Sequence, residues 1–158
     1  MEKNDAYFIS VAIELAREGM QSNLGGPFGA IVVRDQKIIG RGQNRVTSSH
    51  DPTAHAEVNA IRDACQQLDT FVLDGCTLYT SCEPCPMCLG AIYWARIARI
   101  VFAATRQDAA RGQFDDEWLY QEVNRSWEER DIEFLQLAQG EGAVVFDEWR
   151  RKEDRVKY

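Results

Sequence analysis

The first segment of the chain carries apolar residues at close to helical spacing. These residues are Tyr7, Phe8, Val11, Ile13, Leu15 and Ala16. Because a period near 3.6 residues is typical of an amphipathic helix, the pattern predicts an α-helix over 5–20. Asn4 and Asp5 are both suitable N-caps for this helix.

Two short apolar runs follow GGPFGA (25–30), the glycine-rich sequence that ends the first helix. The runs AIVV (30–33) and KIIG (37–40) lie on either side of Asp35 and Gln36. Two such runs around a short polar pair predict a β-hairpin.

The rest of the chain alternates between helical and strand patterns. The predicted elements are a turn and helix over 48–68, a strand over 76–81, a helix over 84–96, a strand over 99–105, a helix over 115–123, a strand over 132–138 and a helix over 144–153. This alternation favours a three-layer α/β fold, in which about five strands form a mixed sheet between helices. The helix between the last two strands allows them to run parallel through a crossover connection.

The composition predicts one globular domain over residues 1–158. Hydrophobic residues make up 45% of the chain and charged residues 27%, as in folded domains of this size. The apolar runs are too short to cross a bilayer, and the N-terminus lacks the basic and apolar regions of a secretion signal. We therefore expect a cytoplasmic protein with no membrane partner. There, cysteines at short spacing hold a metal or act in catalysis rather than form disulfides.

The formal net charge of −7 disfavours a nucleic-acid partner. Binding to a phosphate backbone normally requires a basic face. Basic residues do cluster in ARIAR (95–99) and in WRRK (149–152), but acidic residues surround the second cluster. That cluster is typical of a solvated helix face.

One histidine and two cysteines have the spacing of a catalytic zinc site. His55 lies in HAE at the start of a predicted helix, and Cys85 and Cys88 lie in PCPMC at the start of the next. Two residues three positions apart share one side of a helical turn, and helix N-termini stabilise thiolates. One imidazole and two thiolates leave the fourth position of a tetrahedral zinc open, as catalysis requires. We expect one zinc ion per chain.

Glu57 follows His55 by two residues and is the predicted catalytic group. A zinc ion with two thiolates and a neutral imidazole is formally neutral, so a nearby carboxylate must take the proton of the attacking water. The order H-x-E and then P-C-x-x-C is the signature of zinc deaminases. In these enzymes the glutamate also protonates the leaving ammonia.

Cys82 overlaps a second C-x-x-C pair with Cys85. We expect Cys82 to be a semi-buried thiol outside the ligand set, because it ends a predicted strand whereas Cys85 and Cys88 share a helical turn. The alternative is a fourth zinc ligand. It would close the site and make the chain a structural zinc-binding module.

The chain resembles the bacterial guanine deaminases of the cytidine deaminase fold. The most specific stretches are GGPFGAIVV (25–33), DPTAHAEVNAIRDAC (51–65) and the region 78–116, which runs from LYTSCEPCPMC to GQFDD. The similarity covers nearly the full length, and residues 124–150 contribute little to it. It implies a homodimer, in which the C-terminal segment of about 143–158 crosses to the partner subunit.

The resemblance also implies substrate-binding roles for a small purine base. Asn44 would bond the edge of the purine ring, the Ala56 backbone would hold the base beside the zinc, and Phe28, Trp94 and Phe114 would enclose its faces. Asp116 would contact a ring N–H or the amino edge, and Tyr158 would cover the partner's site.

Each of these roles has a structural alternative. Asn44 follows a glycine and suits a turn, Asp115 or Asp116 suits the cap of the following helix, and aromatic side chains are common in cores. Tyr158 lies at a chain end, where order is usually low.

Two related activities share the same chemistry. A tRNA adenosine deaminase also carries HAE and PC-x-M-C, but the net acidity and the SCEPCPMC and FDD stretches favour the guanine enzyme. A deaminase of another small heterocycle, such as cytosine, an aminopurine or a triazine, is the further alternative.

Overall fold

Helices and strands alternate along residues 3–158, the part of the chain that this computed structural model describes. The helices are α1 (Asp5–Gln21), α2 (Val46–Ser49), α3 (Ala56–Leu68), α4 (Pro86–Trp94), α5 (Arg106–Arg111), α6 (Glu117–Asn124) and α7 (Gln139–Arg151), with a 3-10 turn at Trp127–Glu129. The strands are β1 (Gly29–Arg34), β2 (Lys37–Gln43), β3 (Thr77–Cys82) and β4 (Arg99–Ala104).

The four strands form one mixed sheet in the order β2-β1-β3-β4. Strand β1 is antiparallel to β2 and to β3, whereas β3 and β4 are parallel. The hairpin between β1 and β2 is confirmed, with Asp35 and Gln36 at φ of 48° and 64°. Left-handed values at both central residues suit the right-handed twist of the strands. The parallel pair is joined through α4, as a crossover requires.

Both faces of the sheet are covered by helices, which gives three layers. On β1, Ala30 and Val32 pack with α3 and α4 on one face, whereas Ile31 and Val33 pack with α1 on the other. This alternation follows from the two-residue period of a strand. Buried apolar residues on both faces of a central strand predict the helix–sheet–helix arrangement that the structure has.

The start of α1 is anchored to the sheet by a polar network. Asn4 is the N-cap, and its side chain accepts a hydrogen bond from the N–H of Tyr7 at 3.0 Å. Asp5 accepts from Tyr79 on β3 at 2.7 Å and from Arg99 on β4 at 2.6 Å. The hydrogen bond from Arg99 and, to a smaller extent, that from Tyr79 lower the pKa of Asp5 to about 2.

The residues from Trp118 to Tyr158 form a second compact unit, separate from the unit that ends at Glu117. Within it, the buried carboxylate of Glu122 accepts a hydrogen bond from the N–H of Asp131 at 2.8 Å and pairs with Arg125. All residues of α7 are exposed.

The strand predicted over 132–138 is wrong, and the sheet has four strands rather than five. The segment has no regular structure, and Leu135 and Leu137 are each 76% exposed. A strand forms only when a neighbour satisfies its backbone groups, and a hydrophobic pattern does not supply that neighbour. Helix α5 was not predicted, and α7 begins before the predicted residue 144.

Among residues 3–158, no helix combines the length and the apolar character that crossing a membrane demands.

Candidate active site

Two helix starts meet at the carboxyl end of β3. His55 is the N-cap residue of α3 and Cys85 is the N-cap residue of α4, both with extended backbones. Pro86 occupies the first position of α4, where its missing N–H costs nothing. The imidazole of His55 makes no capping hydrogen bond to α3 and is available as a ligand, and the sulfur of Cys85 is in contact with Cys88 on the first turn of α4.

His55, Cys85 and Cys88 bring their ligand atoms within 4.8 Å of one another. The Nδ1 atom of His55 lies 3.6 Å from the sulfur of Cys85 and 3.5 Å from that of Cys88. A tetrahedral zinc with bonds of about 2.3 Å to sulfur and about 2.0 Å to nitrogen separates such atoms by roughly 3.5 Å. The ligand types and their spacing therefore both fit one zinc ion.

The two thiols of the cluster differ in acidity. Hydrogen bonds from Cys88 and, second, from His55 lower the pKa of Cys85 to about 4. The same contact with Cys85, together with burial, raises the pKa of Cys88. A divalent cation held by these two sulfurs would keep both of them as thiolates.

Two glycines of β2 allow α3 to pack closely against the strand, and this packing determines the position of His55 at the start of α3. A Cβ atom at Gly42 would lie 2.0 Å from the carbonyl oxygen of Ala56 and 2.4 Å from the nitrogen of Ala60. At Gly40 it would lie 2.4 Å from the carbonyl oxygen of Ala60. Only glycine allows the two backbones to approach this closely.

Glu57 lies beside the ligand cluster and is 5% exposed. Its Oε1 accepts a hydrogen bond from the hydroxyl of Thr80 at 3.3 Å, and its Oε2 accepts from the thiol of Cys88 at 3.5 Å. Burial raises the pKa of this carboxyl. A buried carboxyl in contact with a metal ligand is suited to hold and release a proton at the metal.

Cys82 lies outside the ligand cluster, as the sequence predicts. Its thiol donates to the carbonyl oxygen of Thr105 at 3.6 Å, and burial raises its pKa to about 11. Within residues 3–158, the metal-binding group consists of His55, Cys85 and Cys88 alone. Three protein ligands leave a tetrahedral ion open to water, which is a catalytic rather than a structural arrangement.

Asn44 is buried directly after β2, and its side-chain oxygen and its side-chain NH₂ group have different surroundings. Its Oδ1 accepts from the backbone N–H groups of Gly26 at 3.1 Å and Val46 at 3.2 Å. Because both partners are donors, they fix the orientation of the amide. The side-chain NH₂ group is therefore the end that can donate to a ligand. The carbonyl side is closely packed, since a Cβ at Gly25 would lie 2.2 Å from Oδ1.

Two of the three predicted aromatic residues are in contact. The rings of Phe28 and Phe114 meet edge to face with centroids 5.0 Å apart. Trp94 lies at the end of α4 opposite Cys85 and is 70% exposed. The structure therefore places two of the three aromatic residues predicted for the slot in contact with each other.

The two aspartates before α6 have different roles. Asp115 accepts a hydrogen bond from the N–H of Glu117 at 2.9 Å and is the residue that caps the helix start. Asp116 is half-buried, and burial, followed by the charge of Cys85, raises its pKa.

The remaining predicted residues have simpler surroundings. Ala56 is fully buried and is the first residue of α3, next to His55. Tyr158 belongs to the second unit and is exposed. Glu83 accepts a hydrogen bond from the backbone N–H of Arg106, the first residue of α5, at 3.1 Å.

Sequence patterns did not identify two polar residues that support the site. The hydroxyl of Thr80 contacts Glu57, and the side-chain NH₂ of Asn59 donates to the carbonyl oxygens of Gln43 at 2.9 Å and Ala54 at 3.3 Å. Thr80 lies two positions after the core residue Leu78 on β3, so the alternation of the strand places both side chains on the same buried face. Asn59 lies one helical turn after His55.

A family profile matches this site. The profile of the cytidine and deoxycytidylate deaminase zinc-binding region matches residues 2–104, which include His55, Glu57, Cys85 and Cys88. The chain belongs to this family. It is a zinc-dependent hydrolytic deaminase with a cytidine deaminase-like fold, and its three-ligand group is positioned for one zinc ion.

Individual relatives match over different lengths. The guanine deaminase of Bacillus subtilis (strain 168) is 52% identical over 155 residues, which cover 98% of this chain and 99% of the relative. The X-ray structure of guanine deaminase from Bacillus subtilis matches with a TM-score of 0.96 at 51% identity, over 99% of both chains. The tRNA-specific adenosine deaminase of Aquifex aeolicus (strain VF5) is 43% identical over 98 residues, or 62% of this chain and 64% of the relative.

Proposed function

We propose that this protein is a guanine deaminase, which hydrolyses guanine to xanthine and ammonia in purine catabolism. The observation that carries this proposal is the match with the Bacillus subtilis guanine deaminase, at 52% identity over 98% of this chain. The similarity to the tRNA-specific enzyme covers 62% of the chain. The guanine enzyme is therefore favoured over the tRNA deaminase.

His55, Cys85 and Cys88 are the proposed zinc ligands. Zinc, when bound there, supplies the Lewis acidity that activates a water molecule at neutral pH. Because Cys82 bonds Thr105 instead, these three residues would hold the ion and leave one position of a tetrahedral site for water.

Glu57 is the proposed proton carrier. It accepts a proton from the attacking water and delivers it to the amino nitrogen of the tetrahedral carbon, so that the nitrogen leaves as ammonia. Its contacts support both steps, because Oε2 lies 3.5 Å from the Cys88 sulfur and the residue is almost excluded from solvent. Burial prevents bulk water from competing for the proton.

The purine base is held by polar groups at its edges and by aromatic rings at its faces. The NH₂ group of Asn44 donates to a ring acceptor, the Ala56 backbone holds the base at the start of α3, and Asp116 accepts from a ring N–H or the amino group. Phe28 and Phe114, already in contact, cover one face. A pocket that pairs polar edges discriminates strongly between bases.

The protein is proposed to act as a cytoplasmic homodimer in which each chain completes the other's site. The segment of about 143–158 crosses to the partner subunit, where Tyr158 covers the base, and Trp94 meets the base in that assembly. The exposed Leu135 and Leu137 support an assembly that covers the second unit. Cys65 and Cys82, both free thiols, support a reducing compartment.

The Glu57→Gln variant distinguishes a zinc-dependent deaminase from a structural zinc-binding module. We expect one zinc per chain and a loss of guanine turnover of about 100- to 10,000-fold, because the amide cannot carry the proton. Glu83→Gln is the matched control, since the Gln oxygen still accepts from the N–H of Arg106. Undiminished turnover in Glu57→Gln would contradict the proposal.

A further inference from the structure

Thr80 makes the contact with Glu57 that no part of the deaminase signature describes. Its side chain is 1% exposed, and its hydroxyl donates to Oε1 of Glu57 at 3.3 Å. A hydroxyl buried in this way must find a partner. The partner it finds here is the carboxylate proposed to move the proton.

The backbone of Thr80 is held on both sides by the sheet. Thr80 is paired with Ala30 on β1 and with Phe102 on β4. A β-branched side chain in a central strand also has few accessible rotamers. The hydroxyl therefore presents Glu57 with a donor in a fixed place, whereas Glu57 itself has three rotatable side-chain bonds.

The two oxygens of Glu57 are consequently not equivalent. Oε1 faces the sheet and is occupied by Thr80, whereas Oε2 faces the ligand cluster through Cys88. A half turn of the carboxylate only exchanges two identical oxygens, whereas any smaller rotation would break the contact and leave the Thr80 hydroxyl buried without an acceptor, which is costly.

We propose that Thr80 is the positioning residue for proton transfer, and that it makes Oε2 the oxygen that carries the proton. The proton moves from the attacking water to Oε2 and from Oε2 to the leaving amino nitrogen. Thr80 keeps its own proton and only donates a hydrogen bond. This inference rests on the proposed function, in which Glu57 is the proton carrier.

The neighbouring residue shows what a purely structural hydroxyl does on the same strand. Ser81 is buried, and its hydroxyl accepts a hydrogen bond from the backbone N–H of Gly29 at 3.0 Å. That contact joins β3 to the start of β1 without touching Glu57. Thr80 is different because its partner is a catalytic carboxylate.

Thr80→Val is the direct test, since valine has the same shape but no hydroxyl. We expect kcat for guanine to fall about 10- to 100-fold, as for loss of a hydrogen bond to a charged group. KM and the zinc content should stay near the wild-type values, because Thr80 is neither a proposed substrate contact nor a proposed zinc ligand. Thr80→Ser should restore most of kcat, and Thr77→Val, on the same strand but away from Glu57, should have no effect.

Two outcomes would overturn the inference while leaving the proposed function intact. The first is wild-type kcat in Thr80→Val while Glu57→Gln is inactive. The second is a loss of kcat that Thr80→Ser does not restore. An active Glu57→Gln would overturn the proposed function itself, so the two failures are distinguishable.

A measurement independent of turnover tests the contact itself. The unfolding of wild type, Thr80→Val, Glu57→Ala and the double variant in denaturant forms a double-mutant cycle. We expect Thr80→Val to lower the unfolding midpoint in the wild-type background and to change it little when Glu57 is already absent. Equal losses in both backgrounds would show that the two side chains are not coupled.

Discussion

At the scale of single residues, the two polar ends of Asn44 have different surroundings. Its Oδ1 accepts from the backbone N–H groups of Gly26 and Val46, and its NH₂ group is the end that the proposed function assigns to the base. The sequence suggested a turn role and a substrate-binding role as alternatives. The structure shows the turn role, and the turn contacts do not use the NH₂ group that substrate binding would require.

Asn44→Asp separates these two tasks. The aspartate still accepts both backbone hydrogen bonds, so the protein should fold, but it replaces the NH₂ donor by a negative oxygen. We expect kcat/KM for guanine to fall about 100-fold, mainly through KM. Steady-state kinetics and a denaturant midpoint check this, with Asn23→Asp in an exposed turn as control. A folded variant with unchanged kcat/KM would show that Asn44 does not bind the base.

The ligand residues could be predicted from sequence because their chemistry and spacing are local. HAE and PCPMC identify His55, Cys85 and Cys88 without knowledge of the sheet. Thr80 could not be found in this way, because its contact with Glu57 joins positions 23 apart along the chain. The exposure of Trp94 also depends on tertiary packing, which an apolar sequence does not specify.

At the scale of elements, the site depends on where α3 and α4 begin. Both helices start at a ligand residue, and their unpaired first N–H groups add positive potential there. The helix patterns predicted both starts closely. They did not predict α5, whose capping box at Thr105 and Asp108 lies just after β4, because its six residues are too few to show a period.

Gly42→Ala tests the close packing of α3 on β2. The new methyl group would lie 2.0 Å from the carbonyl oxygen of Ala56, so α3 must move and His55 must move with it. We expect a loss of about 3 kcal/mol in the free energy of unfolding and weaker zinc binding.

Gly90→Ala is the control for this substitution. A Cβ at Gly90, on an exposed turn of α4, meets no atom within 4 Å, so stability should rise by up to about 1 kcal/mol. Denaturant unfolding and a zinc competition assay measure both effects. Equal stability and zinc affinity in Gly42→Ala would contradict the packing argument.

At the scale of the whole molecule, the sequence predicted the class and layers of the fold but not the number of strands. The failed strand over 132–138 belongs to the second unit, whose α7 is exposed along its length. A sequence pattern shows which residues are apolar, but it does not show which surface they pack against. In the proposed homodimer, the partner subunit covers the exposed apolar residues of the second unit.

A complementation experiment tests whether Tyr158 acts in the partner's site. Deletion of 156–158 should abolish most turnover while leaving the unfolding midpoint unchanged, because an exposed chain end contributes little to stability. Co-expression with Glu57→Gln chains should restore roughly a quarter of wild-type activity, since half of randomly formed dimers then contain one complete site. Full activity in the deletion variant, or no recovery on mixing, would contradict the crossing segment.

The most direct test of the central claim is ammonia release from zinc-loaded protein. Guanine, adenine, cytosine, guanosine and a tRNA anticodon stem containing the target adenosine should be compared in parallel. We predict ammonia from guanine, in equal amount to the xanthine formed, and none from the other four. No release from guanine together with release from another substrate would keep the zinc site and contradict the assignment of guanine.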